Sequence, residues 1–214
     1  MDWHSWHGDY DVPDSSLARR LAVVQDQVRN ALDACPPGPL TVVSLCAGEG
    51  RDLLGVLPTH PRRDDVRARL VELDPRSTAV AEESIRVAGL TAVEVVEGDA
   101  GLVDHYQDLV PADLVLVCGV FGNIVDTDIE RTIDTCRQLT KSGGTVIWTR
   151  HRGEPDLVPT ICRWFEEREF DRVWLSDPQA GFGVGVHRLT GRPEPLILAR
   201  SMFVFASFEQ LGGK

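Results

Sequence analysis

The sequence predicts an α/β domain: a doubly wound, mostly parallel sheet of seven strands with an antiparallel last strand and helices on both faces. Three observations carry this. From Leu40 onward, short apolar runs alternate with helical segments, the pattern of strand–helix–strand units. Leu114-Val115-Leu116-Val117 is apolar without interruption, as a strand buried on both faces must be. The 214 residues suffice for one sizeable domain and are too few for two.

The elements follow in order. Residues 1–13, rich in Trp, His, Asp and Tyr, read as an extended arm. A helix starts at Asp14 or Ser15, both good N-caps. Leu17, Leu21, Val24, Val28 and Ala31/Leu32 give it one apolar face. It stops before Cys35-Pro36-Pro37-Gly38-Pro39. Strands are then predicted at 40–45, 68–73, 92–96, 113–117 and 145–148. The helices between and after them are predicted at 51–57, 75–88, 101–109, 126–139 and 155–167. Pro75 sits at the first position of its helix, where a missing N–H costs nothing.

Two further strands are expected near 172–175 and 202–205, paired antiparallel as a long hairpin. The connection at 176–199 is rich in Gly and Pro. Phe182, Val184 and Val186 alternate within it, so part of it reads as strand. Residues 1–39 are read as an arm and helix capping the same domain, and 40–214 as its ligand-binding body.

Composition narrows the function. The net charge is −11, and the dense basic runs, Arg62-Arg63 and Arg150-His151-Arg152, are short. Binding to nucleic acid or to an anionic membrane is therefore not expected. No apolar run reaches the roughly 18 residues of a membrane span. Residues 1–7, MDWHSWH, lack the basic start and apolar stretch of a signal peptide, which makes the cytoplasm the expected location. The five cysteines, Cys35, Cys46, Cys118, Cys136 and Cys162, never form C-x-x-C. Neither a disulfide framework nor a metal site is expected.

In such sheets ligands bind beyond the carboxyl ends of the strands. The first predicted strand runs into Ser44-Leu45-Cys46-Ala47-Gly48-Glu49-Gly50-Arg51-Asp52, where Gly48 and Gly50 permit a tight turn close to a ligand. A dinucleotide fingerprint would continue G-x-G-x-x-G/A, but Leu53 holds its last position. The second ends at Glu72-Leu73-Asp74. Glu72 lies 22 residues after Gly50, the spacing at which an acid holds ribose hydroxyls; Asp74 is assigned to the cap of the following helix. The third ends at Gly98-Asp99-Ala100, where Asp99 can accept from an adenine amino group or cap a helix. The fourth ends at Cys118-Gly119-Val120-Phe121-Gly122-Asn123-Ile124, apolar and open enough to approach a ring or thioether.

These four strand ends resemble the core of class I S-adenosylmethionine-dependent methyltransferases, over residues 40 to about 150. The segments SLCAGEGRDLLGVL, CGVFGNI and WTRHR together resemble methyltransferases to which no substrate is assigned. The resemblance implies a Rossmann-like fold with a reversed final strand, here 200–205. It implies S-adenosyl-L-methionine as cofactor and S-adenosyl-L-homocysteine as product. Cys46, Ala47, Gly48 and Gly50 would wrap the methionine part, Glu72 and Leu73 the ribose, and Asp99 and Ala100 the adenine, with Cys118 and Phe121 beside them. The family loop commonly reads acidic-x-Gly-x-Gly-x-Gly; here Ser44 replaces the acid and Cys46 the first glycine.

Methyl transfer needs chiefly positioning and exclusion of water, and a general base only if the acceptor must lose a proton. His151, His7, His4 and Tyr10 are the candidate bases. Trp6, Tyr10, Asn123, Arg150 and His151 are the candidate acceptor contacts, Arg150 or Arg152 suiting an anionic group. Trp3, Trp6, His7 and Tyr10 either close over the pocket or staple the arm to the core. No Asn-Pro-Pro-Tyr-like sequence follows the fourth strand. With the acidic charge, this favours a small-molecule acceptor over nucleic acid. A protein that binds S-adenosylmethionine without methyl transfer, and a nicotinamide oxidoreductase, are the alternatives. The arm could also be shared between the subunits of a homodimer.

Overall fold

The computed structural model describes residues 8–12 and 14–207. Trp3, His4, Trp6 and His7 lie outside them. Seven strands form one sheet: β1 (Leu40–Leu45), β2 (Val66–Glu72), β3 (Val93–Glu97), β4 (Ala112–Val117), β5 (Thr140–His151), β6 (Phe170–Leu175) and β7 (Phe182–Leu189). Their order is β3-β2-β1-β4-β5-β7-β6. Pairing is parallel from β3 to β5, and β7 runs antiparallel to both its neighbours.

Among the described residues five α-helices flank the sheet: α1 (Ser16–Ala34), α2 (Arg51–Leu54), α3 (Pro75–Ala88), α4 (Asp126–Leu139) and α5 (Val158–Glu166). The apolar stripe of α1 (Val24, Val28, Leu32) buries against one face with Val42, Leu70, Leu116 and Val184. The opposite face packs Val43, Val115, Val117 and Trp148 against Ile129 and Ile133 of α4 and Phe165 of α5. Removal of these side chains from water is the main stabilising term. No described helix is long and apolar enough to cross a membrane.

Local signals set several boundaries. The Ser15 hydroxyl accepts from Ala18 N at 3.0 Å and caps α1. The Asp74 carboxylate accepts from Arg76 N and caps α3, as its sequence predicts, and Gly89 in left-handed conformation ends that helix. The helix expected at 51–57 is shorter: α2 closes at Leu54, and a separate 3₁₀ turn covers Leu57–Thr59. The helix expected near 101–109 is a 3₁₀ turn at Val103–Tyr106.

The last strand differs from expectation. The reversed strand is β7, not 200–205, and it forms a hairpin with β6 before inserting beside β5. The alternation of Phe182, Val184 and Val186 marks it, and glycines stand between them. A Cβ at Gly185 would lie 2.3 Å from the Trp148 indole, and one at Gly183 would lie 2.4 Å from Val158 Cγ2. Both glycines exist because large side chains press on the strand. In the C-terminal segment Met202 and Phe203 are buried in the α4/α5-side core, and Ser201 makes one isolated bridge to Leu102. That apolar run plugs the core without joining the sheet.

Candidate active site

The carboxyl ends of β1 to β4 open into a cavity of about 290 Å³, near the lower end of small-molecule pockets. The loop after β1 forms its floor. Cys46, Gly48 and Gly50 have φ of 50°, 56° and 70°, so three alternate residues take the left-handed conformation. Cys46 therefore occupies a backbone position that suits glycine. Ala47 N donates to Val71 O and Gly50 N to Ala47 O, which ties the loop to β2.

Glu72, at the end of β2, joins loop and sheet. Its Oε2 accepts from Gly48 N at 2.7 Å. Its Oε1 accepts from Leu73 N at 2.8 Å and Asp74 N at 2.9 Å. A carboxylate has about four acceptor sites, so capacity for a hydroxyl remains. Asp99 Oδ1 accepts from Gly101 N at 2.8 Å, and Asp99 faces the same cavity. Burial, then the charges of Glu72 and Asp99, push the Cys46 thiol well above its ordinary pKa. Burial, then Asp52, does the same to Cys118. Both are neutral thiols in the wall, not nucleophiles.

At the other end of the cavity stand Tyr10 from the arm, Arg20, Leu21 and Val24 from α1, Asp52 from α2 and Thr149 from β5. An Arg20 guanidinium nitrogen lies 3.0 Å from the Tyr10 hydroxyl and donates to it. Arg51 fastens the 3₁₀ turn Gly8–Asp11. It bonds both oxygens of Asp11, at 2.6 and 3.1 Å, and Glu49 at 2.7 Å. Its guanidinium also lies 5.6 Å from the Tyr10 ring centroid. Asp52 is 8% exposed, and burial raises its carboxyl from 3.8 to about 6.

Of the residues predicted from sequence to hold cofactor, the structure brings Cys46, Ala47, Gly48, Glu72, Leu73, Asp99, Ala100 and Cys118 together around the cavity. Gly50 stands behind it: a Cβ there would meet Leu54 and Leu70 side-chain carbons at 2.7 Å. Phe121 is fully buried and packs with Trp148 and Phe165. Among the predicted acceptor contacts, Tyr10 lines the cavity, and burial, offset in part by Arg20, raises its pKa. The phenol therefore stays neutral near pH 7.

Asn123, Arg150 and His151 are not among the lining residues: Asn123 and Arg150 buttress the loop after β4, and His151 bonds the loop after β5. Asn123 Nδ2 donates to Gly119 O at 2.7 Å, Arg150 to the Phe121 carbonyl, and His151 Nδ1 accepts from Gly153 N. Thr149 Oγ1 accepts from Gly119 N at 2.8 Å. Sequence reasoning missed Arg20, Asp52, Thr149 and Phe205. Arg20 had a readable signal, since it borders the Leu17–Leu21–Val24 stripe in helical phase. Among the described residues no group of three or more His, Cys, Asp or Glu could hold a metal ion.

No family model matches the sequence, and no curated protein matches it. Solved structures do match. An O-methyltransferase family protein from Burkholderia thailandensis superposes with a TM-score of 0.64 at 16% identity, over 81% of this chain and 56% of the other. The chain thus spans little more than half the length of that protein. A precorrin-6y C5,15-methyltransferase from Geobacter metallireducens GS-15 gives 0.58 at 15%, over 80% and 86% of the two chains. An RNA methyltransferase from Salinibacter ruber, in complex with S-adenosyl-L-homocysteine, gives 0.54 at 19%, over 81% and 95%. At these identities the likeness is one of fold, and the fold is the Rossmann-like one of the class I S-adenosylmethionine-dependent methyltransferases.

Proposed function

We propose that the chain is an S-adenosylmethionine-dependent methyltransferase acting on a small molecule. The carrying observation is the convergence of four strand-end segments, with Cys46–Gly48, Glu72, Asp99 and Cys118–Gly119, on one cavity. The donor set suits the cofactor. Glu72 offers acceptor capacity for ribose hydroxyls, Asp99 an acceptor for an exocyclic amine, and the left-handed loop a close backbone approach. When bound, S-adenosylmethionine supplies a methyl group already activated on a sulfonium.

The residues then have to orient and exclude water. Leu21, Val24 and the Tyr10 ring wall the acceptor side, and the Arg51–Asp11 pair holds the Gly8–Asp11 turn beside it. The net charge of −11 and the enclosure by α1 and the arm favour a small acceptor over a polyanion. The test is release of S-adenosyl-L-homocysteine from S-adenosylmethionine in the presence of pooled small metabolites, with total RNA as a parallel arm. Turnover with metabolites alone supports the reading. Turnover with RNA alone overturns the acceptor class, and turnover with neither favours a binder that does not transfer methyl.

A further inference from the structure

We propose that Thr149 sets the class of methyl acceptor: its hydroxyl accepts a hydrogen bond from the nucleophilic atom, so the acceptor is a small amine or alcohol that brings its own N–H or O–H. This rests on the reading of the cavity as an S-adenosylmethionine site.

Thr149 is 1% exposed, yet it lines the cavity at the end away from Glu72 and Asp99. Strand alternation puts it there. Ile147 packs in the core on the α1 side and Trp148 in the core on the other, so Thr149 returns to the α1 side. A hydroxyl has one proton to donate and two lone pairs to accept with. Thr149 Oγ1 spends one lone pair on Gly119 N, at 2.8 Å, which is its one hydrogen bond among the described residues. Its remaining capacity borders the cavity. Gly119 lines the same wall, and nothing stands within 4 Å of the place its Cβ would take.

The neighbours narrow the partner. Leu21, Val24 and the Tyr10 ring bring carbon surface to this end, and the Cys118 thiol stays neutral. Arg20 and Asp52 have partners of their own in the Tyr10 hydroxyl and Leu53 N. Thr149 is thus a neutral, buried group with hydrogen-bonding capacity to spare. A nucleophile whose N–H or O–H donates to Oγ1 is oriented with its own lone pair still free. The reverse bond, from the hydroxyl to that lone pair, would occupy the electrons that attack. A carbon or thioether nucleophile has no such hydrogen and leaves the buried hydroxyl half used, which a site of this kind disfavours.

The test is calorimetric titration of wild type, Thr149→Val and Thr149→Ser with S-adenosyl-L-homocysteine and sinefungin, folding checked by circular dichroism. Sinefungin bears an amine where the sulfonium bears its methyl group, so it brings an N–H to the accepting end; S-adenosyl-L-homocysteine brings none. Thr149→Val is expected to weaken sinefungin about tenfold or more and S-adenosyl-L-homocysteine by no more than about threefold. Thr149→Ser should keep sinefungin within about threefold of wild type. Equal losses for both ligands would show a hydroxyl that only holds Gly119, and they overturn the assignment. So do the absence of any loss and a wild type that binds S-adenosyl-L-homocysteine but rejects sinefungin. Methyl transfer is then assayed with pooled amines, pooled alcohols and pooled thiols. Turnover with amines or alcohols supports the acceptor class and says which of the two it is; turnover with thiols alone, or with none, overturns it. Wild type that binds neither titrated ligand removes the cofactor reading itself, and the assignment with it.

Discussion

The Glu72 carboxylate accepts the backbone N–H of Gly48 at 2.7 Å, so the acid at the end of β2 holds the loop at the end of β1 in shape. The same side chain also accepts from Leu73 and Asp74. One residue thus preorganises the floor of the cavity and faces its contents. Glu72→Ala is expected to lower stability by about 1–3 kcal/mol, because three N–H groups lose their acceptor. Glu72→Gln, which keeps one carbonyl oxygen, should lose less. Urea melts of the three proteins measure this; identical midpoints would show that the loop holds itself.

Asp52 sets a pH dependence. Its carboxyl stands at about 6 in the folded chain against an ordinary value of 3.8. The folded state therefore binds the extra proton between these values, and stability falls as pH rises through that window. The cost is fully present above about pH 6 and amounts to about 3 kcal/mol for a shift of roughly two units. Asp52→Asn should therefore be more stable than wild type at pH 8, with the advantage fading toward pH 4. Paired denaturant melts at both pH values check the sign, and an advantage independent of pH would contradict it.

Cys46 stands in the left-handed region at φ 50°, where a β-carbon costs about 1 kcal/mol. Cys46→Gly and Cys46→Ala both remove the thiol and differ in that carbon. The glycine variant is expected to be the more stable by about 0.5–1 kcal/mol, despite glycine's larger unfolded-state entropy. Thermal melts of the pair decide it, and a more stable alanine variant would contradict it.

Gly185 answers to packing alone. A methyl group there would overlap the Trp148 indole at 2.3 Å, within a stack in which Trp148 Nε1 donates to His187 Nδ1 at 3.0 Å. Burial holds that imidazole neutral, with a pKa of about 3, so it accepts the bond throughout the neutral range. Gly185→Ala should cost about 1–3 kcal/mol or more and shift the indole fluorescence. A variant with wild-type stability and spectrum would show that β7 is not pressed against β5 as described.

The Arg51 latch predicts a kinetic effect. Arg51→Met removes its bonds to Asp11 and Glu49 and its contact with the Tyr10 ring. Release of S-adenosyl-L-homocysteine should quicken several-fold, with a smaller change in its association rate. Stopped-flow fluorescence separates the two rates, and unchanged release would show that the arm does not gate the cavity.

The sheet was legible because burial on both faces leaves unbroken apolar runs. Residues 40–45, 75–88 and 126–139 match their elements residue for residue. β7 was legible in part, from the alternation of Phe182, Val184 and Val186; the glycines between them, Gly183 and Gly185, answer to the volume of Val158 and Trp148, residues distant in sequence. The cofactor side of the site was legible from loop chemistry at the strand ends. The other side was not. Arg150, His151 and Asn123 stood at the right edge of the sheet, but Asn123 and Arg150 hold the loop after β4 and His151 bonds Gly153 in the loop after β5. Arg20 borders the apolar stripe of α1 in helical phase, a signal the sequence carries, whereas Asp52 reaches the cavity through the packing of α1 against α2, which no local pattern reports.

The central claim is tested most directly by calorimetric titration of wild type and Glu72→Ala with S-adenosylmethionine, S-adenosyl-L-homocysteine and NADH. The account predicts micromolar binding of both adenosyl ligands, weakened by the substitution, and none of NADH. Binding of NADH alone, or of no ligand, would contradict it.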